Sequence, residues 1–108
     1  KSYLHVSELV DAMTHVSNKI GMKNTTEIIN IGCDDGGILV SEIAKIVVEL
    51  VAPNAEIRFG QGEKGWVGDV PKFSYDVSRL KAHGWSPAKS SYEAVYLAAQ
   101  EIISNLND

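Results

Sequence analysis

"EIINIGCDDGGILVSEIAKIVVEL", residues 27–50, is the stretch on which the fold turns. It opens with an apolar run, Ile28, Ile29 and Ile31, closed by Gly32. A short isoleucine-rich run bounded by a glycine predicts a buried strand over 27–32. "CDDGG" at 33–37 has the composition of a turn. Ile43, Ile46, Val47 and Leu50 then recur at i, i+3, i+4 and i+7, the apolar face of a helix. Pro53 and Asn54 end it. Strand, turn and helix in this order make one α/β unit.

The same pattern extends outward. "SYLHV" at 2–6 predicts a short strand running into a helix with Leu9, Met13, Val16 and Ile20 on its inner stripe. Ser7 is a suitable N-cap and Gly21 a natural stop. "AEIRFG" at 55–60 predicts a third strand. "DVSRLKAHGW" predicts a short helix capped by Asp76 and ended by Gly84, with Pro87 beyond. Ser90 and Glu93 form a capping-box pattern ahead of a last helix with Val95, Ala99, Ile102 and Leu106 on one stripe. The expected class is α/β, with about three short strands, paired in parallel, and four helices in one domain over 1–108. So small a sheet cannot cover these helix faces, and part of their packing surface is expected to lie outside the chain. Lys1 in place of a methionine, leading at once into strand-like residues, points to a segment of something longer.

Composition narrows the function classes. A chain of 108 residues, 44% hydrophobic and 22% charged, is ordinary globular material. A net charge of −4 argues against a general nucleic-acid surface, while leaving room for a local phosphate pocket. Cys33 is the single cysteine, which excludes an internal disulfide and a cysteine-based zinc site and fits a reducing, cytoplasmic setting. No apolar run reaches the ~18–20 residues of a membrane helix. His5, His15 and His83 are too scattered for a metal site, with His5 expected to be structural and the other two exposed on helices. Asp34 and Asp35 lack the alternating ligands of a calcium loop and are taken as turn residues. Cys33 is expected to be buried, Trp85 to anchor a helix end, and Tyr92 and Tyr96 to share one helix face.

"FGQGEKGWVGDVP" at 59–71 places Gly60, Gly62 and Gly65 on the spacing G-x-G-x-x-G. The dinucleotide fingerprint needs a helix directly after the glycines, whose N-terminus holds the pyrophosphate, and an acid about 20 residues on. Trp66, Val67, Gly68 and Pro71 cannot start that helix, and no acid stands at the required distance. Two readings of the loop stay open. Asp69, Lys64 and Trp66, flanked by glycines, suit a ligand-binding loop. Alternatively, Asp69 caps a turn in solvent.

Three segments in register carry a resemblance. "SYLHVSELVDAM" is similar to R-x-Y-x-H-V-x-D-L-x-x-A of the extended short-chain dehydrogenase/reductase family, "INIGCDDGGILVSEIAKIV" to its Y-N-I-G…S-V-x-E-I-A-x-x-V, and "GWVGDVPKFSYDVSRLKAHGWSP" to its G-D-x-P…L-G-W-x-P run. Together they cover nearly the whole chain. The resemblance is to the C-terminal part of UDP-glucose 4-epimerase-like enzymes, normally packed on an upstream NAD-binding Rossmann domain. The family's NAD loop is not among these segments. Its Tyr-x-x-x-Lys pair is also missing, for Tyr3, Tyr75, Tyr92 and Tyr96 have no lysine four residues on.

The resemblance implies a lid over a UDP-sugar, with NAD and the hydride chemistry in the upstream domain and no activity in this piece alone. Asp69 would bond the ribose through a charge-assisted hydrogen bond. Lys1 stands where the family has a diphosphate-binding arginine, a point charge without the bidentate fork. Tyr3 and Val40 would line the pocket, and Phe73 would lie near the base or ribose. Trp66 replaces a second arginine, whose charge Lys64 would supply. Leu39 replaces a helix-capping serine, and Gly37 is an insertion. Full-length relatives are often homodimers. The alternatives are a nucleotide-sugar dehydratase of the same family, or a non-catalytic α/β module that binds a ligand or a protein.

Overall fold

The computed structural model describes residues 1–21, 26–62, 66, 68 and 73–106. Four helices follow in order: α1 (Val6–Ile20), α2 (Val40–Val51), α3 (Ser78–Ala82) and α4 (Ser91–Leu106). Among the described residues there is no strand, which overturns the expected α/β class with its small parallel sheet. The physical reason lies in pairing. Residues 28–31 do alternate: Ile28 and Asn30 face out, while Ile29 and Ile31 pack on the core. A strand also needs a neighbouring backbone. Here the Ile28 carbonyl accepts from the Arg79 guanidinium at 2.9 Å, and Asn30 donates its side-chain amide to the Asp76 carbonyl at 3.1 Å. Among the described residues, the 1–5 segment makes a single reciprocal backbone pair, between Lys1 and Ile38 at 2.9 and 3.2 Å. The 55–60 segment is almost wholly exposed.

The core gathers Ala12 of α1, Val77, Leu80 of α3 and Trp85, with Leu4, Val16, Ile29 and Ile31 around them. α2 buries Ile46 and packs against α4. α1 turns an unexpected side inward. Its buried residues are Glu8 and Ala12. The Glu8 carboxylate accepts the backbone N–H groups of Ala88 at 2.7 Å and Lys89 at 3.2 Å. Asp11 accepts the Trp85 indole N–H at 2.7 Å, and His15 donates to the His83 carbonyl at 2.8 Å. His15 and His83 are therefore half-buried and bonded, not exposed as expected. Val6, Leu9, Val10 and Met13 lie at i, i+3, i+4 and i+7 on α1, and all of them face solvent. Leu9 and Met13 had been expected inside.

Caps explain where the helices start. His5, not Ser7, caps α1: its Nδ1 accepts from the Ser7 N–H at 3.3 Å. The Ser7 hydroxyl lies 2.7 Å from the same nitrogen. The His5 Nε2 then donates to Glu101 of α4 at 3.1 Å, so the histidine is structural, as expected. Asp76 accepts the Ser78 N–H at 3.0 Å, and Ser90 and Glu93 form their reciprocal box at 2.8 and 3.2 Å. Leu39 offers α2 no side-chain acceptor, but Glu42 takes the Leu39 N–H at 2.8 Å.

The molecule is open for its size. Its radius of gyration is 17.1 Å, against about 13 Å for a compact domain of this length. Its accessible surface is 8205 Å², where a compact monomer of this mass would expose about 5,900 Å². No described helix is long and apolar enough to cross a membrane.

Candidate functional site

Residues 32–38 form the backbone around which the candidate site assembles. Ile38 holds Lys1 through the reciprocal backbone pair. Gly37 lies so close to that segment that a Cβ there would overlap the Lys1 carbonyl and stand 2.8 Å from the Ser2 nitrogen. Val40, three residues beyond Gly37, is the first residue of α2 and is exposed. The Tyr75 ring packs on Gly32, and Phe73 meets Tyr75 edge to face at 5.3 Å. Lys1, Tyr3, Val40 and Phe73 are thereby tied to one short segment, although the sequence spreads them over positions 1–73. Trp66 is exposed, and its ring lies on Gly68. No described contact joins it to the other residues. Lys64 and Asp69 lie outside the described residues.

Tyr3 is held at both backbone groups. Its N–H donates to the Ser91 hydroxyl oxygen at 2.9 Å, and its carbonyl accepts from the Cys33 thiol at 3.1 Å. Ser91 is wholly buried at the start of α4. It donates its N–H to Asp35 Oδ2 at 2.5 Å and its hydroxyl to Asp35 Oδ1 at 2.8 Å. Gly37 adds its N–H to Oδ1 at 3.0 Å. Asp35 thus caps α4 from 56 positions away, where the helix dipole favours a negative charge. Burial alone would raise the Asp35 pKa, but the donors from Ser91 and Gly37 outweigh it and hold the carboxyl below its ordinary value.

Cys33 is buried, as expected, and its pKa is pushed up to about 11 by burial first and then by the nearby carboxylates of Asp35, Glu8 and Asp34. The thiol is therefore a neutral hydrogen-bond donor at neutral pH, not a nucleophile. A raised acid pKa means that the fold favours the protonated thiol. Stability is complete below the unfolded value of 9.0 and falls as pH rises toward 11. Urea midpoints measured from pH 7 to 11 should show this alkaline loss, and Cys33→Ala should flatten it. An alkaline limb equally steep in the variant would remove the thiol as its cause.

Asp35, Ser91 and Glu8 are the residues that the sequence did not single out. Asp35 looked like any turn acid, and Ser91 stands beside the more conspicuous capping serine, Ser90. No local spacing marks a bond that spans 56 positions. Among the described residues no group of histidine, cysteine, aspartate and glutamate is placed to hold a metal ion. Two shallow grooves flank the site. The larger, of about 310 Å³, is mainly apolar and runs between residues 3–6 and the Ala94–Ala98 face of α4. The smaller, of about 220 Å³, is polar and lies beside Arg79 and Asn30.

Comparison with protein-family models and with curated proteins finds no match for the chain.

Proposed function

We propose that the chain is the nucleotide-sugar-binding portion of a cytoplasmic NAD-dependent epimerase, with UDP-glucose 4-epimerase-like chemistry as the first choice and dehydration of a nucleotide sugar as the second. One observation carries the reading. Two of the three segments that bear the family-like motifs converge on residues 32–38 of the third, through Lys1 with Ile38, Tyr3 with Cys33, and Tyr75 on Gly32. In this reading Lys1 sits by the diphosphate, Asp69 bonds the ribose, and Tyr3, Val40 and Phe73 line the nucleotide pocket. Such contacts lie remote from the reacting carbon and act by holding the sugar in place.

NAD does not fit the described residues. Among the described residues no helix begins between Gly60 and Ser78, so none of them offers a helix N-terminus to the glycine run. The cofactor therefore belongs to a separate domain in this proposal. The open shape supports such a domain. The surface exceeds that of a compact monomer by about 2,300 Å², and the solvent-facing stripe on α1 is the natural seat. A stable interface takes about 800 Å² from each partner, so the excess is ample.

Titration of the chain with UDP, followed by NMR, tests the binding reading. UDP should perturb Tyr3, Val40 and Phe73, and Asp69→Ala should weaken it about tenfold, the value of one charge-assisted hydrogen bond. No perturbation, or equal affinity in the variant, would refute it.

A further inference from the structure

We propose that Asp35 is a positioning residue, whose carboxylate acts through the Ser91 hydroxyl to fix Tyr3 in the candidate site. The contacts fix the direction of every proton in this relay. The Ser91 hydroxyl has one hydrogen and two lone pairs. Asp35 Oδ1 at 2.8 Å is a better acceptor than the Tyr3 carbonyl at 3.4 Å, both by distance and by charge. The hydroxyl therefore donates to Asp35, and its lone pair is left facing the Tyr3 N–H at 2.9 Å. The Tyr3 carbonyl, not required by Ser91, takes the Cys33 thiol. Donation toward an anion makes the hydroxyl oxygen a stronger acceptor, so the two bonds reinforce each other.

The arrangement needs a carboxylate, not merely a polar group of that shape. Asp35 receives two donors from Ser91 and one from Gly37, and its two oxygens accept all three. An asparagine in its place has one acceptor oxygen. Its amide group would face either the Ser91 N–H or the Ser91 hydroxyl as a donor. In the second case the hydroxyl turns toward the Tyr3 carbonyl and competes with Cys33. The other charged groups near the relay do not replace Asp35. Glu8 is committed to the Ala88 and Lys89 amides, Asp34 is paired with Lys81 at 2.5 Å, and Cys33 is neutral.

The relay stands on these contacts. Its bearing on ligand binding rests on the nucleotide-sugar reading, and the experiment separates the two. Asp35→Asn and Ser91→Ala are made in the full chain, with circular dichroism to confirm that the helices are retained. Amide hydrogen exchange is read at Tyr3 and in α2, and UDP is titrated into each protein. In both variants the Tyr3 amide should exchange about tenfold faster while the α2 amides do not change. In the unaltered chain the Tyr3 amide resonance should follow a titration below the ordinary aspartate value of ~3.9, and that titration should vanish in Asp35→Asn. UDP affinity should fall about tenfold in both variants, with the Tyr3 ring no longer perturbed. Unchanged Tyr3 exchange overturns the relay. Faster exchange with unchanged UDP affinity overturns its positioning role. No binding of UDP by the unaltered chain overturns the nucleotide-sugar reading, while Tyr3 exchange still decides the relay.

Discussion

Replacing Trp85 by alanine should lower the unfolding free energy by about 3–5 kcal/mol. Trp85 is buried in the same cluster as Ala12, Val77 and Leu80, and its indole N–H donates to Asp11 at 2.7 Å. It is thus the joint between α1 and the turn that leads into α4. Total stability for a chain of this length is about 5–15 kcal/mol, so the loss would take a large share. Trp85→Phe keeps most of the packing and removes the hydrogen bond to a charged group, and should cost about 1.5–3 kcal/mol. Urea unfolding of both variants measures the two parts. If the alanine variant lost less than about 1 kcal/mol, the core would have to be centred elsewhere.

Gly37→Ala should be the most damaging glycine substitution in the 32–38 segment, and Gly36→Ala beside it is the internal control. Both glycines have φ in the left-handed region, at 82° and 83°, where an L side chain costs about 1–2 kcal/mol. At Gly36 nothing lies within 4 Å of the added Cβ, so only the backbone term applies. At Gly37 the Cβ overlaps the Lys1 carbonyl as well, and the Lys1–Ile38 pair must open to make room. Gly37→Ala should therefore cost about 1–3 kcal/mol more than Gly36→Ala. It should also speed exchange at the Ile38 amide, which donates to Lys1. Equal losses in the two variants would mean that the Lys1 segment is not held where the structure puts it.

Helices were legible in the sequence and sheets were not, for one reason. A helix closes its hydrogen bonds within itself, so Ile46 with its neighbours, and Ser90 with Glu93, announce α2 and α4 locally. A strand is completed by another segment. The isoleucines at 28, 29 and 31 state which side chains face the core, and two of them do. They do not state what pairs with the backbone. The inner face of α1 was misread for a related reason. Glu8 faces in, and the exposed Asp11 reaches back to the Trp85 indole, because the turn around Trp85 offers them N–H donors, which hydrophobic periodicity does not record. Of the candidate site, the motif positions Lys1, Tyr3, Val40 and Phe73 could be named from sequence. The Asp35–Ser91 relay that connects two of the segments was invisible, because its members are 56 positions apart.

Were a neighbouring domain to cover the outward stripe of Val6, Leu9, Val10 and Met13, its docking would add to this chain's stability. A surface that binds only the folded form raises apparent stability in proportion to the logarithm of its own supply. In that case the chain alone would melt at a lower temperature than the chain joined to such a domain.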